Sequence, residues 1–132
     1  MIQKTSELEG FVVFANVQKV LRLTVSTGSM RISVDAAREI GDPQYINIFF
    51  DDNKKRMAIK AATKSMENVF RITNTKVNNM AIIRDKILKL LEMELVPAGS
   101  ALRFIGSKTS SGYIIFDLTK SQQIQFSRKA EK

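Results

Sequence analysis

The chain has 132 residues and a formal charge of +8 at pH 7, and its hydrophobic fraction of 44% fits one compact domain with a packed core. It contains neither cysteine nor histidine, which excludes disulfides, thiolate metal sites and any Ser-His or Cys-His nucleophile system. The carboxylates are scattered, and many have a lysine or arginine nearby in the sequence. We therefore expect a protein that is not an enzyme and that holds no metal or cofactor.

The 21 basic residues exceed the 13 acidic ones, which favours a polyanionic partner: nucleic acid, an acidic protein surface or anionic lipid. A basic surface without any partner is the alternative. No apolar run approaches the roughly 18 residues that are needed to cross a bilayer, and no signal-peptide pattern follows the N-terminus. We expect a cytoplasmic protein that does not bind a membrane.

The first half of the chain predicts strands that are separated by turns and one short helix. The strands are expected at 11–17, 20–25, 30–33, 45–50 and 56–60. Ser33 is suited to cap the helix, because its hydroxyl can accept from the free amides of the first turn. Gly41 ends that helix and Pro43 prevents its resumption. The charged segment 51–55 is expected to be a hairpin loop.

The second half follows the same plan. We expect strands at 69–73, 80–83, 101–105 and 113–118, with a helix at 84–95. The helix has the clearest amphipathic pattern of the chain, because apolar residues recur at helical spacing. These residues are Ile83, Ile87, Leu90, Leu91 and Leu95. From residue 120 onward the sequence is polar and basic, which indicates a flexible tail.

Each half thus consists of a short strand, a helix and a β-hairpin. Two copies of one unit in a single chain can pack around a shared core. The sequence predicts an α+β fold, a β-rich and barrel-like domain with two short-to-medium helices. It would be built from tandem strand-helix-hairpin units at 1–62 and 63–119, followed by the tail at 120–132.

The segment 20–61 resembles the swapped-hairpin DNA-binding domain of the AbrB/SpoVT/MazE family. The segments that carry the resemblance are Thr27–Ser33, Ala36–Gly41, Tyr45–Asp51 and Met57–Lys60. The resemblance implies that two such units interlock into a barrel that binds DNA, and the MraZ relatives carry both copies in one chain. This chain departs from the family pattern at Val34, where the family usually has Pro, and at Asp42–Gln44, which replaces a Gly-Asp pair.

The predicted nucleic-acid-binding residues are Arg22, Arg31, Arg38, Arg84, Lys86 and Lys89. The resemblance puts Arg31 and Arg38 in the places of the family's DNA-contacting residues, with Arg22 across the same ribbon, and makes the others their counterparts in the second unit. Each could contact a phosphate, and each arginine could also contact a guanine edge. The alternative is a solvated charge whose aliphatic stem covers apolar surface.

We therefore expect a small DNA-binding protein, a transcriptional regulator or nucleoid-type binder, which prefers duplex DNA and is a monomer or homodimer. One alternative is a phage or mobile-element protein that inhibits a host protein by binding its acidic surface. Another is a single-stranded nucleic-acid binder that stacks bases on its phenylalanines. Most of these phenylalanines lie in alternating apolar segments, so core packing is favoured for them. The basic run Lys54–Arg56 is interpreted as part of a solvated turn.

Overall fold

The structure, a computed structural model, describes residues 9–12 and 19–125. Its strands are Arg22–Val25 (β1), Met30–Ile32 (β2), Tyr45–Asp51 (β3), Arg56–Ala62 (β4), Val69–Thr73 (β5), Lys76–Val77 (β6), Ser100–Lys108 (β7), Ile114–Asp117 (β8) and Gln122–Gln125 (β9). Its helices are Val34–Glu39 (α1) and Ala81–Leu90 (α2). The predicted strand at 11–17 lies largely outside the described residues.

All strand pairings are antiparallel, and eight strands close into a barrel. Their order is β1-β2-β6-β5-β3-β4-β8-β7, with β7 returning to pair with β1. The strand β9 pairs with the first half of β7, next to the place where β8 pairs with its second half. The predicted β-rich, barrel-like α+β fold with two helices is confirmed.

The order of elements occurs twice along the chain: β1, β2, α1, β3, β4 and then β5, β6, α2, β7, β8. The pairings of the barrel are unchanged when the strands of the first series are exchanged for those of the second. For example, replacing β1 by β5 and β7 by β3 turns the pairing β1–β7 into the pairing β5–β3, which is also present. The pairing β2–β6 stays the same, because the exchange replaces each of these two strands by the other. Because β2 and β6 are antiparallel neighbours and each leads to a helix, α1 and α2 leave the barrel at opposite ends.

The core fills the barrel through the alternation of strand residues. Leu23 and Val25 of β1 are buried and alternate with polar residues that face outward. Phe104 and Phe116 are the largest fully buried side chains, and each such burial stabilises the fold by about 1.5–3 kcal/mol. Ser33 caps α1 as expected, since its hydroxyl accepts from the Ala36 N–H at 3.1 Å.

The second helix begins earlier and ends earlier than its pattern predicts. The prediction of a strand at 80–83 is wrong, because Met80 is the N-cap residue of α2. The strand at the equivalent place is the short β6, after which Asn79 turns the chain with φ 57°. The helix ends at Leu90, since Glu92 adopts φ 58°, and Leu95 is 61% exposed.

The segment Gln122–Gln125 was predicted to be part of a flexible tail, but it forms β9. It pairs with β7 from Ser100 to Arg103, and its Ile124 is half-buried opposite Ala101. Residues 126–132 lie outside the described part of the chain. Within the described part, no helix is long and apolar enough to cross a membrane.

Candidate nucleic-acid interface

The basic residues that the sequence singled out lie in three separate places. Arg22 and Arg31 lie in β1 and β2 and face outward from the barrel, since the residues beside them in each strand are buried. Arg38 is exposed on α1, at one end of the barrel. Lys89 and the other predicted basic residues of α2 lie at the opposite end. The predicted set therefore does not form one continuous face.

Two of the α2 residues bind protein groups. Arg84 donates from Nη1 to the carbonyl of Thr27 at 2.6 Å and pairs with Asp85 at 3.1 Å. Lys86 pairs with Asp52 of the β3–β4 loop at 2.9 Å. These contacts tie α2 to the turn between β1 and β2 and to the β3–β4 hairpin. Their first role in the molecule is therefore structural.

A row of polar residues crosses the outer face of four neighbouring strands. Lys76 of β6 is opposite Arg31 of β2, Arg31 is opposite Thr24 of β1, and Thr24 is opposite Arg103 of β7. At about 4.8 Å between strands, the row spans about 14 Å from Lys76 to Arg103. Arg22 lies two residues from Thr24 on the same face of β1. The barrel thus brings together basic residues that are far apart in the sequence.

We call this surface the basic wall and define it by its basic residues, Arg22, Arg31, Arg71, Lys76 and Arg103. They lie in β1, β2, β5, β6 and β7, and none of these strands contains an aspartate or glutamate. Among the described residues, no carboxylate forms a salt bridge with any of them. The basic wall therefore keeps its positive charge uncompensated within the described part of the protein.

The arginines of the basic wall keep donors for a ligand. The Nε atoms of Arg22 and Arg103 are buried without an acceptor among the described residues, so only the terminal nitrogens of these two guanidinium groups can donate to a ligand. The guanidinium of Arg31 donates through Nη1 to the carbonyl of Asn74 at 3.1 Å, which leaves its remaining donors available. Guanidinium groups with spare donors are suited to phosphate oxygens, which they can bind in a bidentate manner.

Carboxylates elsewhere on the protein compensate basic residues nearby. Glu39 of α1 accepts from Lys108 at 3.0 Å and from Lys19 at 3.2 Å, and these bonds lower the pKa of its carboxyl group. Asp51 accepts from Arg56 at 2.8 Å, and this bond holds the pKa of Asp51 below its usual value. This local compensation distinguishes those regions from the basic wall.

Sequence reasoning missed Arg71, Lys76 and Arg103. The alternation in β5 could have indicated that Arg71 faces outward, because apolar residues flank it on both sides. No local signal could have shown that Lys76 and Arg103 lie near Arg31, since that depends on the pairings β2–β6 and β1–β7.

No protein-family model, curated protein or solved structure matches this chain. The resemblance to the AbrB/SpoVT/MazE family therefore stays a prediction. Within the described residues, no group of three or more Asp or Glu side chains is placed to hold a metal ion.

Proposed function

We propose that the protein binds nucleic acid through the basic wall, that duplex DNA is its preferred ligand, and that it has no enzymatic activity. The observation that carries the proposal is the row in which Lys76 is opposite Arg31 and Arg103 lies two strands beyond Arg31, on strands that contain no carboxylate. Basic side chains on such a face neutralise phosphates and release condensed counterions, which drives binding to DNA of any sequence. A transcriptional regulator or a nucleoid-type protein would use a surface of this kind.

We further propose that the chain is an internal pseudo-dimer of two swapped-hairpin units, at 1–62 and 63–119. The support is the pairing pattern, in which the first hairpin of each half pairs with a strand of the other half. Under this proposal a pseudo-twofold axis passes between β2 and β6, beside Arg31 and Lys76. Duplex DNA has local twofold symmetry, and proteins with twofold symmetry dock on it through matching halves.

Fluorescence anisotropy of a labelled duplex, titrated with protein across a salt series, tests the function. If phosphate contacts dominate, the logarithm of affinity falls linearly with the logarithm of salt concentration, by about 0.9 per phosphate neutralised. The triple variant Arg31→Gln, Lys76→Gln, Arg103→Gln should bind more weakly, and its salt slope should be smaller by about 3.

A matched control carries the same loss of charge at exposed lysines away from the basic wall. Its substitutions are Lys54→Gln, Lys64→Gln and Lys120→Gln. We expect this control to keep most of the affinity and the salt slope. Equal losses in the two variants, or no binding at low salt, would refute the proposal. If unlabelled poly-glutamate displaces the labelled duplex as well as unlabelled duplex DNA does at the same concentration of negative charge, an acidic protein is instead favoured as the partner.

A further inference from the structure

A second outer face of the barrel carries aromatic side chains. Phe49 of β3 is 44% exposed, whereas Phe104 and Phe116 are fully buried in the core. It is opposite Ala58 of β4, which in turn is opposite Ile115 of β8. The ring of Phe49 therefore lies on the outside of the sheet formed by β3, β4 and β8, and core packing does not account for its position.

Phe49 meets Tyr113 across the intervening strand β4. Their ring centroids are 5.5 Å apart with an angle of 73° between the ring planes, an edge-to-face arrangement. The ammonium group of Lys60, on β4, lies 4.7 Å from the centroid of the Tyr113 ring. Ala58, also on β4, is small enough for the two rings to come together over the strand. The result is an ordered group of two rings and a cation on an open sheet.

This face adjoins the basic wall. Tyr45 of β3 is opposite Arg71 of β5, and Arg71 belongs to the basic wall. We call the surface formed by Tyr45, Phe49, Lys60 and Tyr113 the aromatic face. The nearest carboxylate along β3 is that of Asp51, which is bound by Arg56 at 2.8 Å.

We propose that the aromatic face stacks the bases of a single-stranded segment of nucleic acid, whose phosphates contact Lys60 and Arg71. Aromatic rings on an exposed sheet, interleaved with cations, bind unpaired bases with little regard to sequence, because every base has a π-face. A base within a duplex is already stacked on its neighbours and cannot use such rings. The preferred ligand would thus combine a duplex with a flap, loop or single-stranded end.

The proposal rests on the proposed function in the class of ligand and in Arg71, which belongs to the basic wall, but its other residues are different and it has a separate readout. The chain contains no tryptophan and two tyrosines, and both tyrosines belong to the aromatic face. Tyrosine fluorescence therefore reports on this face directly. In the variant Tyr45→Phe, the signal comes from Tyr113 alone.

The experiment titrates the full chain with oligo-dT and follows tyrosine fluorescence, corrected for absorption by the oligonucleotide. We expect saturable quenching in the wild type and in Tyr45→Phe. The substitution Phe49→Leu keeps an apolar residue but removes a stacking ring, so oligo-dT binding should weaken about tenfold while duplex binding stays unchanged. Lys60→Gln should also weaken oligo-dT binding and reduce its salt slope. Because Phe49 is partly exposed, we expect Phe49→Leu to unfold at the same temperature as the wild type, which would exclude misfolding as the cause of weaker binding.

The variant Glu67→Gln should have the opposite effect to Lys60→Gln. It removes an exposed negative charge in the connection that precedes β5, so it should strengthen oligo-dT binding. Quenching by oligo-dT without any duplex binding would support this inference and refute the proposed role of the basic wall. Duplex binding without quenching, or wild-type oligo-dT affinity in Phe49→Leu, would overturn the inference and leave the proposed function intact.

Discussion

Replacing Thr75 by glycine is expected to stabilise the protein. Asn74 and Thr75 form the two-residue loop between β5 and β6, with φ of 50° and 64°. Positive φ at both central residues defines the type I′ turn, in which glycine is strongly preferred at the second position. A β-branched residue such as threonine is strained there, since its Cβ crowds the following carbonyl oxygen.

The left-handed conformation costs a residue other than glycine about 1–2 kcal/mol. Glycine removes this strain, but its greater freedom in the unfolded chain costs about 0.5–1 kcal/mol. The net gain for Thr75→Gly is thus about 0.5–1 kcal/mol, which corresponds to a rise in Tm of a few degrees, about 2–5 °C. The carbonyl of residue 75 still accepts from the Ile32 N–H at 3.0 Å, because that bond uses only backbone atoms.

Differential scanning calorimetry, together with urea unfolding at 25 °C, measures the effect. Asn74→Gly is the matched control and should change Tm little, because asparagine tolerates positive φ far better than threonine does. Thr75→Ala should lie between the wild type and Thr75→Gly, since it removes the branch but keeps a Cβ. A lower Tm for Thr75→Gly would refute the reasoning, as would a gain of equal size in Asn74→Gly.

Other substitutions test packing, charge and the basic wall. A Cβ at Gly106 would lie 2.7 Å from the ring of Phe116, so Gly106→Ala should lower the free energy of unfolding by about 1–3 kcal/mol in urea. Glu39→Gln should destabilise the protein at pH 7, because it removes the carboxylate that accepts from the two lysines. The difference in stability from the wild type should shrink as the pH falls below 4.5 and vanish once the wild-type carboxyl group, whose pKa is lowered in the folded state, is protonated as well. Arg71→Gln and Arg103→Gln should each weaken duplex binding, because each of the corresponding strand pairs β5–β3 and β1–β7 holds one of these arginines.

Each of these expectations has a contradicting result. A stable Gly106→Ala would mean that Phe116 has another place to go within the core. A constant difference between Glu39→Gln and the wild type from pH 7 to pH 3 would mean that the two lysine contacts contribute nothing to stability. Loss of duplex affinity in only one of Arg71→Gln and Arg103→Gln would mean that only one of the two strand pairs contributes to duplex binding.

The sequence predicted the first helix better than the second, and the reason is local. Ser33 and Gly41 mark the two ends of α1, and both signals depend only on nearby backbone groups. The apolar run that begins at Met80 fits a buried strand as well as the first turn of a helix, and periodicity over so few residues does not separate them. Arg38 lies as far after the N-cap residue of α1 as Asp85 lies after the N-cap residue of α2. The second helix therefore has a negative charge where the first helix has a positive one.

The candidate interface was only partly predictable, because it depends on contacts that are distant in sequence. Alternation identifies which strand residues face outward, and in the structure Arg22 and Arg31 do alternate with buried residues. It does not say which strands are neighbours, and the pairing of β2 with β6 is what puts Lys76 beside Arg31. Arg84, which the sequence had grouped with the others, lies instead on α2 and donates to the carbonyl of Thr27 in the turn between β1 and β2.

The symmetry of the strand pairings does not extend to the side chains of the two surfaces. When the halves are aligned on their N-cap residues, the pair Thr24–Arg103 of β1 and β7 corresponds to the pair Arg71–Tyr45 of β5 and β3. Each pair carries one arginine, but Arg71 takes the place of Thr24 and Arg103 takes the place of Tyr45. Both arginines therefore lie in the second half, and their counterparts Thr24 and Tyr45 both lie in the first half. If the chain arose by duplication, the exchange of halves accounts for the strand pairings, but neither these arginines nor Tyr45 is a feature that the two units repeat.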